Sequence, residues 1–521
     1  MKAPRPRLRP FARGDVRAQT ADEAAAFDRR AIDVVGVPQP VLMENAGRCA
    51  AAVLARMLSP ARVVALVGSG NNGGDALVAL RSLAAWGAEC TAVLVGDRPA
   101  DDPLLHGWPV RVVPDEALDD AGWTGVLDGS DAVVDGVLGT GVRGAPRDRQ
   151  ARAIERLNAS GVPVLALDVP SGVDATTGEV PGAAVRAFAT VAFGAAKTGA
   201  LLHPARGRAG RHVVVEIGFP PLGEADASAV VCTPAWARAR LPRRSTDTHK
   251  NRVGRILVVG GSRGMAGAVV LAARSAFRTG AGLLRVATVE ENRDIVQSTL
   301  PDAIHVGFEA GALERAAAES DAVAVGPGLG RAPAAREALE RVVGAGETPL
   351  VLDADAPILA ADGGVYLADV AARRPLLTTP HPGEMARLRP EASGADALSA
   401  LRDAVDAFGC AVLLKGAPSL VGSPGRPVSF DTQSSSDLAV AGMGDALTGA
   451  CVALVAQGLH PADAGAVGLY LTGRAATLAG LGAGLTPSDV VERIPEALAE
   501  PGPAEPDLHL PFVIFDADPA R

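Results

Sequence analysis

The sequence predicts an α/β protein of two domains, each built on a parallel sheet with helices on both faces. Short β-branched runs alternate with segments of helical periodicity along most of the chain, and this order is typical of parallel sheets. Glycine-rich turns follow several of the β-runs. The 521 residues exceed one ordinary core, and a stretch rich in Ala, Pro and Arg separates two such blocks.

Composition narrows the class of protein. Hydrophobic residues make up 48% of the chain, which is ample for burial, whereas aromatic residues make up 3%. The net charge of -9 argues against general nucleic-acid binding, and no apolar run reaches the length of about 18 residues that a membrane span needs. The five cysteines show no CxxC spacing and indicate buried thiols in a reducing compartment. We therefore expect a cytoplasmic enzyme with small-molecule ligands and no nucleic-acid or membrane partner.

Composition also divides the chain. Residues 1–17 are rich in Arg and Pro and lack an apolar core, which excludes a secretory signal and favours a disordered basic tail. The first domain is expected over residues 18–225 and a linker over 226–244. The second domain is expected over residues 245–500, followed by a C-terminal tail over 501–521.

The first domain starts with a predicted capping box at Thr20 and Glu23, in front of an Ala-rich helix. A second helix is predicted from about Met43 to Met57. Strands are predicted, in chain order, at Val63–Val67, Thr91–Val95, Ala132–Val137, Val162–Leu167, Thr190–Phe193 and Val213–Ile217.

A glycine-rich stretch, Gly68–Ala76, lies between the first of these strands and a predicted helix over Ala76–Trp86. Its glycines permit conformations that expose N–H groups at the positive end of the helix dipole, which suits a phosphate or pyrophosphate. A tight turn between strand and helix is the alternative explanation. The side-chain oxygens of Asn71, Asn72 and Asp75 favour a ligand, such as a cation or a ribose hydroxyl, because a turn alone does not require them.

Polar residues also follow three later strands of the first domain. Because the carboxyl ends of parallel strands meet at one edge, Asn72, Asp135 and Ser171 are expected to form an oxygen-only cluster that suits a monovalent or hard cation. Asp168 by itself is more typical of a turn or a helix cap. Lys197 is a further candidate in the same crevice.

The second domain repeats this plan, with a strand over Arg255–Val259 and a helix that runs to about Arg278. Loops at the ends of its strands are expected to face one crevice, and they are Gly260–Ala268, Gly326–Gly330, Asp353–Asp355, Thr379–Glu384, Lys415–Gly416 and Ala441–Asp445.

Asp445 opens the last helix of this series, predicted over Ala446–Gln457. A loop of small residues at a helix N-terminus presents N–H groups to a phosphate, and an Asp in its first turn can deprotonate a hydroxyl that attacks this phosphate. A helix cap is the alternative role. Lys415, one strand and helix earlier, favours a nucleotide site. His381 lies between two prolines on a stiff loop and is expected to contact a ligand.

Four segments of the first domain resemble the NAD(P)H-hydrate epimerase domain over roughly residues 18–220. They are GSGNNGGDA, DGVLGTGVRG, LDVPSGVDATTG and FGAAKTGALLHPARGRAG. The resemblance implies a Rossmann-like three-layer sandwich, a potassium ion held by Asn72, Asp135 and Ser171, and Asp168 as the acid/base group at the damaged nicotinamide ring. With Lys197 in the same crevice, it places substrate against Asn71, Asn72, Gly73, Gly74, Asp75, Gly139, Thr140, Gly141, Val142, Arg143 and Gly144.

Segments of the second domain resemble the ADP/ATP-dependent NAD(P)H-hydrate dehydratase domain, a relative of the ribokinase-like kinases, over about residues 245–497. They are HKNRVGRILVVGGSRGMAGA, GAGLLRVAT, GPGLG, VLDADA, TTPHPGEMARL, LLKGAPS and AGMGDALTGA. The resemblance implies contacts to the hydrated nicotinamide nucleotide from Ala268, Gly330, His381 and Asp445. It implies contacts to ADP or ATP, bound with Mg²⁺, from Lys415, Gly416, Ala417, Pro418, Ser419 and Gly444.

The chain departs from these families at three places. Ala76 stands where the epimerase loop usually ends in Gly. Val440 and Met443 replace two hydroxyl residues of the dehydratase loop, so rate or nucleotide choice is expected to change while the backbone donors remain. Pro357–Ile358 removes an amide near the same site.

The predicted function is nicotinamide nucleotide repair by a homo-oligomer. The first domain is expected to epimerise the R and S forms of hydrated NADH and NADPH (NADHX and NADPHX). The second is expected to dehydrate the S form through a phosphorylated intermediate, at the expense of ADP or ATP. One alternative is a kinase for a sugar or vitamin precursor, fused to a non-catalytic nucleotide-binding or dimerisation module. A nucleic-acid scaffold is the weakest alternative, since the chain is acidic and lacks aromatic stacking residues in basic surroundings.

Overall fold

The structure is a computed structural model that describes residues 16–242, 253–500 and 512–514. The described residues form two compact units that divide after Val230, and residues 512–514 group with the first unit. Most of the predicted tails over 1–17 and 501–521 therefore lies outside the described residues.

The strands are, in chain order, β1 Val16–Gln19, β2 Arg62–Val67, β3 Glu89–Leu94, β4 Val110–Pro114, β5 Ala132–Gly136, β6 Val164–Leu167, β7 Ala189–Phe193, β8 Ala196–Lys197, β9 Arg211–Val215, β10 Ala229–Val231, β11 Arg255–Val259, β12 Leu283–Ala287, β13 Ile304–Val306, β14 Ala322–Val325, β15 Leu350–Leu352, β16 Leu376–Thr378, β17 Ala411–Leu414, β18 Leu420–Gly422, β19 Val428–Phe430 and β20 Phe512–Ile514.

The helices are, in chain order, α1 Ala21–Arg29, α2 Gln39–Leu58, α3 Asn71–Ala85, α4 Asp120–Leu127, α5 Asp148–Ser160, α6 Thr198–Leu201, α7 Pro234–Arg240, α8 Ala266–Arg278, α9 Arg293–Thr299, α10 Ala312–Ala318, α11 Pro333–Gly344, α12 Asp355–Asp362, α13 Leu367–Ala371, α14 Pro382–Leu388, α15 Ala397–Phe408, α16 Met443–Ala456, α17 Pro461–Ala479 and α18 Pro487–Ala499. None of these described helices has the length and apolar character needed to cross a bilayer.

The sheet of the first unit has the strand order β20-β9-β7-β6-β5-β2-β3-β4. Its strands are parallel, except that β20 runs antiparallel to β9. Side chains of β2 alternate between two cores, as period-2 geometry requires. Val63 and Val67 pack with residues of α2 and α3, whereas Val64 and Leu66 pack with residues of α4 and α5. The predicted three-layer α/β arrangement is therefore confirmed.

The sheet of the second unit contains the order β13-β12-β11-β14-β15-β16-β17-β18-β19. From β13 to β17 all neighbours are parallel, and β17, β18 and β19 form an antiparallel meander at the other end. Helix α16 packs against α8 and α17. The carboxyl ends of β11 and β14 to β17 therefore lie along one edge, which confirms the parallel α/β plan predicted for this half.

The start of the first unit agrees with the sequence. The Thr20 hydroxyl accepts a hydrogen bond from the Glu23 N–H (3.2 Å), and the Glu23 carboxylate accepts one from the Thr20 N–H (2.8 Å). This capping box satisfies two N–H groups that a helix start leaves unpaired. Val16 and Arg17 depart from the predicted tail because they belong to β1.

Helix α3 begins at Asn71, five residues before the predicted start at Ala76. The glycines of this stretch are consequently helical, and close packing explains them better than flexibility does. A Cβ at Gly73 would lie 2.0 Å from the Gly68 carbonyl oxygen, and a Cβ at Gly74 would lie 2.7 Å from the Met43 side chain. Only glycine lets this helix start approach the preceding loop so closely.

The segment predicted as a linker, 226–244, contains regular structure among its described residues. Strand β10 is buried, and helix α7 follows it, capped by the Thr233 hydroxyl with Pro234 in the first turn. The Thr-Pro pair is a helix-start signal that the Ala-, Pro- and Arg-rich composition obscured.

Candidate active sites

The N-terminus of α3 presents unpaired N–H groups. Among the described residues, the N–H groups of Asn71, Asn72 and Gly73 have no hydrogen-bond acceptor. The carbonyl groups of the preceding loop point the other way, toward Arg98, whose guanidinium donates to the carbonyls of Gly68 (2.8 Å) and Gly70 (2.7 Å). Free N–H groups at a helix N-terminus, together with loop carbonyls held by Arg98, fit an anion site, which stays a prediction from the glycine-rich sequence.

The structure brings together Asn72, Asp135 and Ser171, the three predicted cation ligands. The Ser171 hydroxyl donates to Asp135 Oδ1 (2.6 Å), and the Ser171 N–H donates to Asp135 Oδ2 (2.8 Å). The Asn72 amide donates to the carbonyls of Leu138 (2.8 Å) and Leu167 (3.2 Å), while the Leu138 N–H donates to the Ser171 hydroxyl (2.8 Å). These residues come from the ends of β5 and β6 and the start of α3.

This cluster has the chemistry of a site for a hard cation. Asp135 is fully buried, and burial raises its pKa to about 6 despite the hydrogen bonds from Ser171 and Val137. No lysine or arginine of the described residues forms an ion pair with this carboxylate. A buried carboxylate among carbonyl and amide oxygens, without a cationic side chain, fits a potassium ion.

Asp168 and Lys197 form a buried ion pair next to this cluster. The Lys197 ammonium donates to Asp168 Oδ1 (2.6 Å) and to the carbonyls of Phe193 (3.2 Å) and Ala195 (3.1 Å), which uses its three N–H groups. The Asp168 backbone has a φ of +65°, a strained conformation for a residue other than glycine. Asp168 Oδ2 receives no hydrogen bond from the described residues, so one oxygen is held and the other is available to a substrate.

Two further carboxyl groups surround this pair. Asp75 is 9% exposed and accepts no hydrogen bond from the described residues. Burial raises its pKa well above the ordinary value, and the charges of Asp168 and Asp28 raise it further, whereas Arg98 lowers it. Burial and Asp168 also raise the pKa of Asp28, against the effect of Lys197, although its side chain reaches solvent. Asp28 lies on α1, and nothing in the Ala-rich sequence around it predicted a place in this site.

The predicted substrate loop Gly139–Gly144 begins beside the cation cluster. A Cβ at Gly139 would lie 3.3 Å from Asn72 Cβ, so this end of the loop packs on the start of α3. Farther along, Arg143 is exposed and forms an ion pair with Asp22 of α1 (2.7 Å). The middle of the loop holds Thr140, Gly141 and Val142.

The second site is built around the N-terminus of α16. Gly442 caps this helix with a φ of +93°, and the Met443 N–H is used by the Val440 carbonyl (3.2 Å). Among the described residues, the N–H groups of Gly444 and Asp445 have no acceptor, which leaves two donors for a phosphate. Burial and the charge of Asp353 raise the pKa of Asp445 to about 6, against the effect of Lys415.

A buried ion pair lies beside this helix start. The Lys415 ammonium donates to Asp353 Oδ1 (2.6 Å), which also accepts from the Thr379 hydroxyl (2.7 Å), and the Thr448 hydroxyl donates to Asp353 Oδ2 (2.7 Å). Burial raises the pKa of Asp353, but Lys415 and both hydroxyls outweigh it, so the pKa is lowered. Burial lowers the pKa of Lys415, but Asp353 and, more weakly, Glu384 and Asp445 outweigh it, so the pKa is raised.

His381 caps α14 and is exposed. Its Nδ1 accepts hydrogen bonds from the N–H groups of Gly383 (3.0 Å) and Glu384 (3.3 Å), which leaves the proton on Nε2. Nε2 lies 3.4 Å from the Glu384 carboxylate. The ring is therefore held in one tautomer, with its Nε2–H toward the Glu384 carboxylate.

The remaining predicted residues lie at ends of the same parallel strands. Ala268 is in the first turn of α8, after β11, and Gly330 follows β14 with a φ of +72°. The loop after β17 contains Gly416, Ala417, Pro418 and Ser419, and the Ser419 hydroxyl lies 3.1 Å from the Gly416 carbonyl, which stabilises the turn.

The departures from the family pattern are tolerated locally. Met443 starts α16 and Val440 supplies a backbone acceptor, so the two donors of Gly444 and Asp445 persist without the family's hydroxyls. Pro357 lies in the first turn of α12, where a proline costs no helical hydrogen bond.

No role was predicted from the sequence for three charged residues that shape these sites, Asp28, Arg98 and Asp353, although the Asp353–Asp355 loop was expected to face the crevice. Asp353 had a signal, since it follows β15 within the VLDADA segment. Arg98 gave none, because a single arginine in a loop is more typical of a solvated surface.

The chain is an α/β enzyme of two units, each of which has a glycine-rich helix N-terminus and a Lys–Asp ion pair. A family model described as YjeF-related protein N-terminus matches residues 39–199, and one described as NAD(P)H-hydrate dehydratase matches residues 256–496. The chain belongs to the family of bifunctional NAD(P)H-hydrate repair enzymes, as the following relatives show.

The bifunctional NAD(P)H-hydrate repair enzyme Nnr of Salinibacter ruber is 36% identical over 92% of this chain and 96% of its own length. That of Moorella thermoacetica is 35% identical over 88% of this chain and 91% of its own length. Among solved structures, the ADP/ATP-dependent NAD(P)H-hydrate dehydratase from Bacillus subtilis, co-crystallised with ATP and Mg²⁺, covers 51% of this chain and 96% of that chain at 28% identity and a TM-score of 0.44.

Proposed function

We propose that the first unit epimerises the R and S forms of NADHX and NADPHX, and that the second unit dehydrates the S form to NADH or NADPH with a nucleotide as phosphoryl donor. Full-length similarity to bifunctional repair enzymes supports the pairing of activities. The assignment depends mainly on the geometry of the two sites. Each site has free N–H groups at a helix N-terminus and a carboxyl group that can transfer a proton, Asp168 in the first unit and Asp445 in the second.

In the second unit, Asp445 is the general base. It removes the proton from the C6 hydroxyl of the hydrate while this oxygen attacks the terminal phosphorus of the nucleotide. Phosphate is a better leaving group than hydroxide. It departs with the electron pair of the C6–O bond, the ring nitrogen forms a transient iminium, and loss of a C5 proton restores the C5–C6 double bond. The N–H groups of Gly444 and Asp445 bind the transferred phosphoryl group.

In the first unit, Asp168 moves a proton at C6. As the ring nitrogen expels the C6 hydroxyl group, the Asp168 carboxyl group donates a proton to it, so that it leaves as water. A water molecule then adds to either face of the planar iminium and returns the proton to the Asp168 carboxylate. Lys197 holds Asp168 Oδ1, and Asp168 Oδ2 exchanges the proton with the departing and the incoming water. The N–H groups at the start of α3 bind the phosphates of the dinucleotide.

A potassium ion is the proposed cofactor of the first unit, held by Asn72, Asp135 and Ser171. It would neutralise the buried Asp135 and position the substrate phosphates and ribose rather than act as a strong Lewis acid. Mg²⁺ is the proposed companion of ADP or ATP in the second unit. A homo-oligomer and a cytoplasmic location stay predictions.

The kinase reading of the second unit is not favoured. Relatives that align with almost the whole chain are named as repair enzymes, so the first unit is an active partner rather than an accessory module.

The test follows recovery of the dihydronicotinamide absorbance from an epimer mixture of hydrated NADH, with ADP, ATP or no nucleotide. Wild type is expected to recover the whole mixture only with nucleotide. Asp168→Asn is expected to stop near the fraction that is already the S epimer, and Asp445→Asn to recover none. No recovery by wild type with either nucleotide, or a stable phosphorylated product, would refute the dehydratase assignment.

A further inference from the structure

We propose that Asp353 is a positioning residue for dehydration: it holds the Lys415 ammonium against the first turn of α16, beside the Asp445 carboxyl group and the phosphate that this turn receives. The inference rests on the proposed function of the second unit and assigns a role to a residue that does not itself reach the substrate.

Asp353 ties four elements together. It follows β15 and is 1% exposed, and its partners Thr379, Lys415 and Thr448 come from the ends of β16 and β17 and from α16. All three bonds are 2.6 to 2.7 Å long. A carboxylate with three such donors has one orientation, so the ammonium that it pairs with is fixed as well.

The fixed ammonium lies where the phosphate is expected. A Cβ at Gly444 would lie 3.3 Å from Lys415 Nζ and 3.9 Å from Asp353 Oδ2. Gly444 is one of the two residues whose N–H groups are free at the helix start. Lys415 therefore adds a positive charge to the donors of the helix N-terminus, on the side where Asp445 acts.

Both members of the ion pair also affect the pKa of the Asp445 carboxyl group, in opposite directions. Asp353 favours the protonated form of the Asp445 carboxyl group, and Lys415 favours the ionised form, in addition to the effect of burial. Glu384 on α14 faces Lys415 as well, and His381 lies against Glu384. Asp445 must be ionised to act as a base, so dehydration should decline as the pH falls through about 6.

The experiment measures kcat for nucleotide-dependent dehydration against pH in wild type, Asp353→Asn, Lys415→Met and Thr448→Val. The acid limb of the profile is the range in which kcat falls as Asp445 becomes protonated. Loss of the Asp353 charge should move this limb to lower pH, and loss of the Lys415 charge should move it to higher pH, each by about one pH unit. Thr448→Val removes a hydrogen bond to Asp353 without changing a charge, so its acid limb should stay in place.

Shifts of the acid limb in opposite directions for Asp353→Asn and Lys415→Met would support the proposal. A purely structural defect would lower kcat without moving the acid limb. Because Asp353 acts through Lys415, Asp353→Asn should cause no further loss of kcat when Lys415→Met is already present. A further loss in that background, or acid limbs that do not move, would overturn the proposal. Carboxyl ¹³C NMR titration of Asp445, with its resonance identified by Asp445→Asn, makes the same comparison without turnover. If wild type showed no dehydration, the proposed function would fail while this titration would still decide the role of Asp353.

Discussion

The two units hold the same pair of residues in different roles. In each, a lysine pairs at 2.6 Å with an aspartate that follows a strand of the parallel sheet, Lys197 with Asp168 and Lys415 with Asp353. In the first unit the paired aspartate is the proposed acid/base group. In the second unit it is not, because the proposed base is Asp445 at the helix N-terminus, whose pKa burial raises to about 6.

This difference follows from what each reaction requires. Water adds to a reactive iminium in the first unit, so a carboxylate with one oxygen held by lysine and the other available is a sufficient proton acceptor. A neutral hydroxyl attacks a phosphate in the second unit, and a base with a pKa nearer the working pH is more effective there. Because the proposed base, Asp445, is not a member of the Lys415–Asp353 ion pair, the Lys415 ammonium can interact with the phosphate.

The largest effect is expected from Asp445→Asn. Dehydration should fall by about 100-fold to 10,000-fold, because a general base is lost, while nucleotide binding and epimerisation persist. Steady-state kinetics with calorimetric nucleotide binding would test this. Asp355→Asn is the matched control, since Asp355 is partly exposed and pairs with Arg331. Equal loss in both variants would contradict the assignment of Asp445.

Lys197→Met should be the most destabilising change in the first unit. It leaves the carboxylate of Asp168, which is 15% exposed, without its partner, and breaking a buried pair costs about 3 kcal/mol or more. Denaturant unfolding monitored by tryptophan fluorescence reports mainly on this unit, because Trp86, Trp108 and Trp123 belong to it.

The double variant Lys197→Met/Asp168→Asn removes the unpaired charge and should recover part of that free energy of unfolding. If the double variant were as unstable as Lys197→Met alone, lost packing rather than lost pairing would explain the effect.

Gly73→Ala and Gly444→Ala compare the two helix starts. The new methyl group at Gly73 would meet the Gly68 carbonyl at 2.0 Å, so the loop must move, at a cost of about 1–3 kcal/mol. At Gly444 the nearest atom is the end of the Lys415 side chain, so the loss of stability should be smaller. Gly70→Ala is the control, because nothing lies within 4 Å of its added methyl group. Equal unfolding midpoints for Gly70→Ala and Gly73→Ala would exclude close packing as the reason for Gly73.

The smallest effect expected is that of potassium on the first unit. Potassium chloride should raise its thermal unfolding midpoint above that in choline chloride, by the equivalent of about 1 kcal/mol, and should not affect the second unit. Asp135→Asn should abolish the difference, because the buried charge that the ion would neutralise is gone. A potassium effect that survives in this variant would place the ion elsewhere.

The parallel α/β plan, and the residues that meet at the strand ends, can be predicted from local sequence signals. Strand-length β-branched runs and glycine-rich turns are local signals, and parallel pairing then brings their carboxyl ends to one edge. Asn72, Asp135 and Ser171 were placed together correctly on this ground, and Asp445 was placed at a helix start.

Which charges pair, and where glycine is required, cannot be predicted from these local signals and depends on tertiary contacts. Lys415 is 62 residues from Asp353 in the sequence, and Asp353 is 95 residues from Thr448, so strand order and helix packing select these partners. The early start of α3 depends on the contact of Gly73 with the Gly68 carbonyl. A local pattern records the type of each residue, whereas burial and the distances between charges exist only after the chain has folded, and these decide which carboxylate acts as a base.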